Sequence, residues 1–367
     1  MLSKDYLDNV SDILSDIYAD LEMQVIIEMA KVIEKTLKAK DVRSMRIKQR
    51  DELYKTVIRL TQGIAYKSGL EVKNTIQNAA LKSYAYDSKI YTAAGITAGK
   101  LLEQPFLTQI LNAGIERTNG SLNNFTRTMA MNVTQQYIQT VDLAYMKITT
   151  GALDYTSAIK KAVKGIASEG LTTVGFQGRK DHLDVAVRRA VLTGVNQTAL
   201  QITDATGDEL GSYLVQTSQH WGARNTGVGF ENHEAWQGKI FSKRPSSKYK
   251  DFKTTTGYGN VKGLGGAGCR HSFFPWFEGV IVDLPELPKR PDVKYKSKTY
   301  SFYEATQRQR AIERNIRKWK RQKNALESID IDATREKNKV LEWQMEAREF
   351  TKATGVLRRY DLESIAY

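Results

Sequence analysis

Three of the four histidines and the one cysteine of this 367-residue chain fall within 52 residues, as His220, His233, Cys269 and His271. Neutral imidazole and thiolate are donors that zinc prefers, so these side chains can form a tetrahedral His3Cys site if the fold gathers them. The spacing matches no zinc signature: 12 residues separate His220 from His233, 35 separate His233 from Cys269, and Cys269 and His271 are two apart. Such a site rests wholly on tertiary structure. The competing reading is structural: the histidines, with Trp221, Arg224, Trp236, Gly238 and Arg270 around them, hydrogen-bond and pack to hold a strand-poor domain, because buried polar groups must find partners. A third reading makes Cys269 a nucleophile whose thiolate is favoured by Arg270 and His271. The structural reading is preferred.

Other catalytic patterns fail on context. Gly263-Leu-Gly265-Gly-Ala-Gly268 matches the dinucleotide fingerprint literally, but no strand is expected before it and no helix after it. These glycines are expected to serve tight turns and close backbone approach. His233-Glu234 opens like a zinc-protease helix, yet Gln237 stands where the second ligand belongs. The chain has neither a phosphate-binding P-loop nor a Gly-x-Ser-x-Gly elbow.

The second conspicuous group is electrostatic. Between residues 307 and 324, Arg308, Arg310, Arg314, Arg317, Lys318, Lys320, Arg321 and Lys323 face a single acid, Glu313, so this stretch carries +7 of the chain's net +14. Neutralising DNA phosphates releases counterions and gives sequence-independent, salt-sensitive binding, so these eight residues are the expected nucleic-acid contact. Docking on acidic neighbouring subunits, or a solvated helix, are the alternatives.

The elements that must position these groups are mostly helical. Val10, Leu14, Ile17, Leu21, Val25, Met29, Ile33 and Leu37 recur at spacings of three and four, which predicts one long amphipathic helix. Further helices are expected over about 50–85 and 123–149, with breaks at Gln104-Pro105 and Asn119-Gly120. Another is expected over 155–168, ended by Gly170, and the next buries Leu183, Val187, Val191, Val195, Ala199 and Ile202 and ends at Gly207. Tyr213, Val215 and Thr217 alternate as a strand would, and Val280-Ile281-Val282 reads as another strand. Pro285, Pro288 and Pro291 predict a linker, and Ser301 with Glu304 forms a capping box at the next helix.

The expected fold is therefore α+β and predominantly α-helical. A long helical N-terminal region (1–150) is followed by a compact central α+β domain (151–282), a proline-containing linker (283–300) and a basic helical C-terminal tail (301–367). One cysteine forms no internal disulfide. The N-terminal residues lack the pattern of a secretory signal and no apolar run approaches a membrane span, so the expectation is cytoplasmic assembly without a membrane partner.

Five ordered runs resemble one known family: Val187-Arg-Arg-Ala-Val-Leu-Thr-Gly-Val-Asn-Gln197, Gln219-His-Trp-Gly-Ala-Arg224, Asn232-His-Glu-Ala-Trp-Gln-Gly-Lys239, Thr256-Gly-Tyr-Gly259 and Gly268-Cys-Arg-His-Ser-Phe-Phe-Pro-Trp276. They are similar to the phage minor capsid protein 2 group, related to the Mu F-like head morphogenesis proteins. The resemblance implies a low-copy component of a tailed-phage head, associated with portal protein and major capsid protein, acting in head assembly and in packaging or delivery of double-stranded DNA. It implies no enzymatic activity. Related domains lie near the ADP-ribosyltransferase fold, but the Glu-x-Glu pair of arginine-directed transferases is missing here. The expectation is a non-enzymatic virion protein with no cofactor beyond a conceivable zinc ion; the alternative is a metal-dependent nuclease or ADP-ribosyltransferase-like enzyme built on the His/Cys cluster.

Overall fold

The computed structural model describes residues 1–365 apart from 176, 177, 179, 283, 285 and 289. Helix starts follow the local capping chemistry. Ser3 opens α1 (Lys4–Asn9) by accepting from the Tyr6 N–H, and α2 (Asp12–Leu37) follows almost at once. Asp41 accepts from the Arg43 and Ser44 N–H groups at the start of α3 (Val42–Ala93), which satisfies donors that a helix leaves unpaired. Pro105 is the first residue of α4 (Pro105–Thr149), where its missing N–H costs nothing. Asp154 caps α5 (Tyr155–Glu169), which ends at Gly170 with φ +66°.

A two-stranded antiparallel hairpin, β1 (Thr172–Val174) with β2 (Lys180–His182), leads into α6 (Leu183–Glu209). The next segment holds β3 (Leu214–Thr217), the single turn α7 (His233–Trp236), β4 (Ile240–Ser242), α8 (Phe252–Thr256) and β5 (Phe273–Pro275). These strands form an antiparallel sheet in the order β4-β3-β5, with Val215 opposite both Phe241 and Pro275. A hairpin of β6 (Val293–Tyr295) and β7 (Lys298–Tyr300) precedes α9 (Phe302–Glu327) and α10 (Thr334–Thr354). The expected Ser301/Glu304 capping box is present in full.

Packing unites regions that the sequence pattern separates. The largest core runs from Leu2 through the buried faces of α2 to α6 and also takes in Ala325, Leu326, Ile329 and Ala333. The expected division at 150 is therefore not a break in the core. Helix α6 explains why: Leu183, Ala186, Val187, Val191, Val195, Ala199 and Ile202 bury their side chains in the same core as α2, α3 and α4. The neighbouring Leu200 belongs to the smaller core of the sheet domain, with Val215, Trp236, Phe241, Phe252, Leu264, Cys269 and Phe273. One helix thus holds the small domain against the helical body.

Three further expectations need correction. Gly120 does not interrupt α4, which continues through it. Val280-Ile281-Val282 forms no strand, and Ile281 is 96% exposed; the third strand of the sheet is the fully buried Phe273–Pro275 instead. Of the expected linker, Asp283, Pro285 and Lys289 lie outside the described residues, and its last part contains the β6–β7 hairpin.

Candidate functional site

His233 starts the turn α7, Cys269 closes the glycine-rich loop after α8, and His271 lies two residues before β5. The loop reaches this position because of its glycines. A Cβ on Gly263 would stand 2.1 Å from the Gly257 carbonyl oxygen, and one on Gly266 would stand 2.3 Å from that of Val261, so only glycine permits these approaches. Among the described residues no strand leads into this loop and no helix leaves it, which removes the dinucleotide reading.

The three side chains converge. Cys269 Sγ lies 3.8 Å from His233 Nδ1 and 3.8 Å from His271 Nδ1, and the three donor atoms lie within 4.8 Å of one another. Hydrogen bonds fix both tautomers. His233 Nε2 is 2.9 Å from the Lys262 carbonyl oxygen, which only accepts, so Nε2 carries the proton. His271 Nε2 donates to Gln237 Oε1 at 3.1 Å; that atom also accepts from the His220 backbone N–H at 3.0 Å, which identifies it as oxygen. Burial pushes both imidazoles below the ordinary histidine range, so both are neutral and each presents a bare Nδ1 to the thiol. Burial also pushes the Cys269 thiol upward, against its hydrogen bonds and the nearby Arg270 and Arg224. That opposes the nucleophile reading.

His220 joins the cluster without joining the convergence. Its ring stacks on His271 with centroids 4.1 Å apart, and Nδ1 donates to the Trp221 carbonyl oxygen at 3.0 Å. Its Nε2 is buried without a hydrogen-bond partner, and burial lowers its pKa to about 4. Trp236 is buried against both His233 and His271, with its indole N–H donating to the Phe230 carbonyl oxygen at 2.9 Å.

The other motif residues serve as fasteners. Trp221 donates to the Pro288 carbonyl oxygen at 3.1 Å and carries the Arg290 guanidinium over its ring. Arg224 donates to the Lys262 carbonyl oxygen at 3.4 Å, beside the bond that orients His233. Gly238 has φ +71°, and a Cβ there would meet Gln219 Oε1 at 2.3 Å. Arg270 pairs with Asp8, so the loop is tied to α1.

Two supporting residues escaped the sequence reading. Gln237, noted only as breaking the zinc-protease motif, is the group that orients His271 and receives the His220 N–H. Asn196 on α6 donates to the carbonyl oxygens of both Cys269 (3.2 Å) and His271 (3.0 Å). It lies in the first of the five runs quoted above, next to Gln197, which bonds the Gly265 carbonyl oxygen at 3.1 Å.

The basic group of α9 is not a free surface. Arg317 pairs with Asp184 at 2.7 Å, Arg321 with Glu22 at 3.5 Å, Arg308 with Glu346 at 3.4 Å and Lys323 with Glu327 at 2.9 Å. Lys320 donates to the Glu363 carbonyl oxygen at 2.8 Å, Lys318 lies over the Trp319 ring, and burial lowers Arg310 to about 10. Of the eight, Arg314 alone is exposed rather than half-buried or buried. The reason is packing: α9 lies against α2, α5 and α10, so four of the eight cations pair with acids, of which Glu22 is buried and Asp184 and Glu346 are half-buried.

The chain thus combines a long-helix body, a small sheet domain clipped to it and a buried His/Cys cluster. The chain belongs to the Phage minor capsid protein 2 family, which it matches over residues 2–352. It is 25% identical to a structural protein of Lactococcus phage LL-H over 281 residues, 70% of this chain and 71% of that protein. A structural protein of Lactococcus phage mv4 is 32% identical over 119 residues, 30% of this chain and 87% of that protein. No solved structure matches the chain. The protein is thus a bacteriophage minor capsid protein, a component of the virion.

Proposed function

We propose that this protein assembles in the host cytoplasm onto the portal and the inner face of the major capsid shell, and there meets the packaged double-stranded DNA through a sequence-independent surface. In this reading it acts in head assembly and in genome packaging or delivery, and performs no catalysis. The buried state of His233, Cys269 and His271, at 5%, 6% and 1% exposure, agrees with that, since a substrate has no open approach to them.

The observation that carries the DNA contact is on α3 rather than α9. Helix α3 contains ten Lys or Arg and four Asp or Glu. At 100° per residue, Lys48, Lys55, Arg59, Tyr66 and Lys73 lie within about 20° of one line, which runs for about 38 Å at 1.5 Å per residue. All five are exposed, Tyr66 at 84%, and none of the four cations makes an ion pair among the described residues. A straight row of unanswered cations with an aromatic ring suits a phosphate backbone and has no device for reading bases.

The test is binding of the full chain to duplex DNA over a salt series. Replacing Lys48, Lys55, Arg59 and Lys73 together by Gln is expected to weaken binding and flatten the salt dependence by about 0.9 log unit per lost phosphate contact. Unchanged binding in that variant would remove α3 from the proposal.

A further inference from the structure

We propose that His233 Nδ1, Cys269 Sγ and His271 Nδ1 bind a zinc ion that staples the small sheet domain. The inference stands apart from the reading of the protein's place in the head and uses none of it.

Zinc bonds of about 2.3 Å to sulfur and about 2.0–2.1 Å to imidazole nitrogen, at a tetrahedral angle, place S and N roughly 3.5–3.6 Å apart. Both Sγ–Nδ1 distances are 3.8 Å, so each nitrogen needs to close on the sulfur by only a few tenths of an ångström, while the two nitrogens, within 4.8 Å of each other, must draw together to roughly 3.3–3.4 Å.

Each imidazole spends its one N–H on a carbonyl-type oxygen, Lys262 or Gln237, and turns a lone pair toward the same sulfur. A thiol has a single proton to offer two such acceptors. One lone pair is left facing sulfur without a donor, an arrangement that a cation resolves and a metal-free core does not. Histidine ligands whose far N–H is anchored on an oxygen are the usual outer shell of zinc sites. The His271 backbone N–H directed at Sγ, 3.4 Å away, and the two Asn196 bonds supply further support around the sulfur.

The sheet domain has three strands of three or four residues and a core of eight buried side chains, one of which is Cys269 itself. Joining α7, the glycine loop and the start of β5 at one point adds a bonded tie to segments that are otherwise held by hydrogen bonds and ring contacts. Binding releases one proton: the Cys269 S–H bond breaks, the proton passes to solvent and the sulfur lone pair bonds the ion. The fourth position goes to a neutral donor, either water or the bare, buried His220 Nε2 after a ring movement.

The experiment loads the full-length protein with Zn(II) alone and, separately, with Co(II), and measures metal per chain, the cobalt absorption spectrum and the melting temperature. We expect one ion per chain, the intense visible bands of tetrahedral cobalt with a thiolate charge-transfer band, and a melting temperature that chelator lowers by several degrees. Cys269→Ser should lose the charge-transfer band, whereas His182→Ala, which alters the histidine outside the cluster, should keep stoichiometry and spectrum. The proposal is overturned if folded wild-type protein takes up no stoichiometric zinc, if its cobalt spectrum is octahedral without charge transfer, or if Cys269→Ser leaves that spectrum unchanged. The wild-type spectrum decides the matter even if a variant fails to fold.

Discussion

Gly114 of α4 faces Thr198 of α6 so closely that a Cβ on the glycine would lie 2.1 Å from the threonine Oγ1. The arrangement repeats in reverse: a Cβ on Gly194 of α6 would lie 2.1 Å from Thr118 Oγ1 of α4. Each threonine donates to the carbonyl oxygen of the glycine four residues before it, Thr118 to Gly114 at 2.9 Å and Thr198 to Gly194 at 2.7 Å. The hydroxyls are satisfied within their own helices, so this close contact leaves neither of them unpaired. Gly114→Ala is therefore expected to destabilise the protein by about 1–3 kcal/mol, the usual cost of overpacking. Adding Thr198→Ala should recover part of the loss. Denaturant unfolding of the two single variants and the double variant checks this, and strictly additive effects would contradict the contact.

Glu313 gives a pH signature. It lies on α9 with its side chain bonded to Gln309 Nε2 at 3.2 Å, and burial raises its pKa to about 7. The folded state then holds a proton that the unfolded chain gives up near 4.5, so stability falls as pH rises between those values. Glu313→Gln removes the cost of the buried charge. It is expected to stabilise the protein by about 1–3 kcal/mol at pH 8, with the difference vanishing near pH 4.5. A stabilisation that is the same at both pH values would contradict the assignment.

Arg321 separates a structural cation from a DNA-binding one. Its guanidinium is buried between Glu22, 3.5 Å away, and the Ala167 carbonyl oxygen, 3.1 Å away. Arg321→Ala leaves the carboxylate without its partner and is expected to cost about 3–5 kcal/mol of stability. Under conditions where the variant remains folded, its affinity for duplex DNA should match wild type. A loss of affinity with no loss of stability would return the DNA contact to α9.

Period and capping chemistry made much of the fold legible in the sequence. The apolar spacing in α2 and α6, the Gly170 stop and the Ser301/Glu304 box each act within a few residues and stand as expected, except that Val10 lies at the break between α1 and α2 rather than in one continuous helix. The errors arise where long-range packing overrules a local signal. Gly120 carries a local breaking tendency of roughly 1 kcal/mol, too little to interrupt a helix of 45 residues buried along its length. Val280-Ile281-Val282 has strand composition but no neighbour to pair with, while Phe273–Pro275 pairs with β3 because the sheet core needs its aromatic rings.

The candidate site was legible as a list of donors, because His and Cys are scarce in this chain, but not as a geometry. Nothing in the spacing separates His220, which stacks, from His233 and His271, which converge on sulfur. Gln237 and Asn196 gave no signal of their own, since an amide becomes informative only when its partners are known. The basic run of α9 shows a related limit: charge is visible in sequence, whereas Asp184 and Glu22, which pair with Arg317 and Arg321, lie more than 100 residues away.

The most direct test of the proposed place in the head is cross-linking mass spectrometry on purified mature particles. The account predicts that this protein is present in far fewer copies than the major capsid protein, and that its cross-links run to the portal and the adjoining inner shell. Cross-links confined to the outer shell or the tail, or absence of the protein from mature particles, would contradict it.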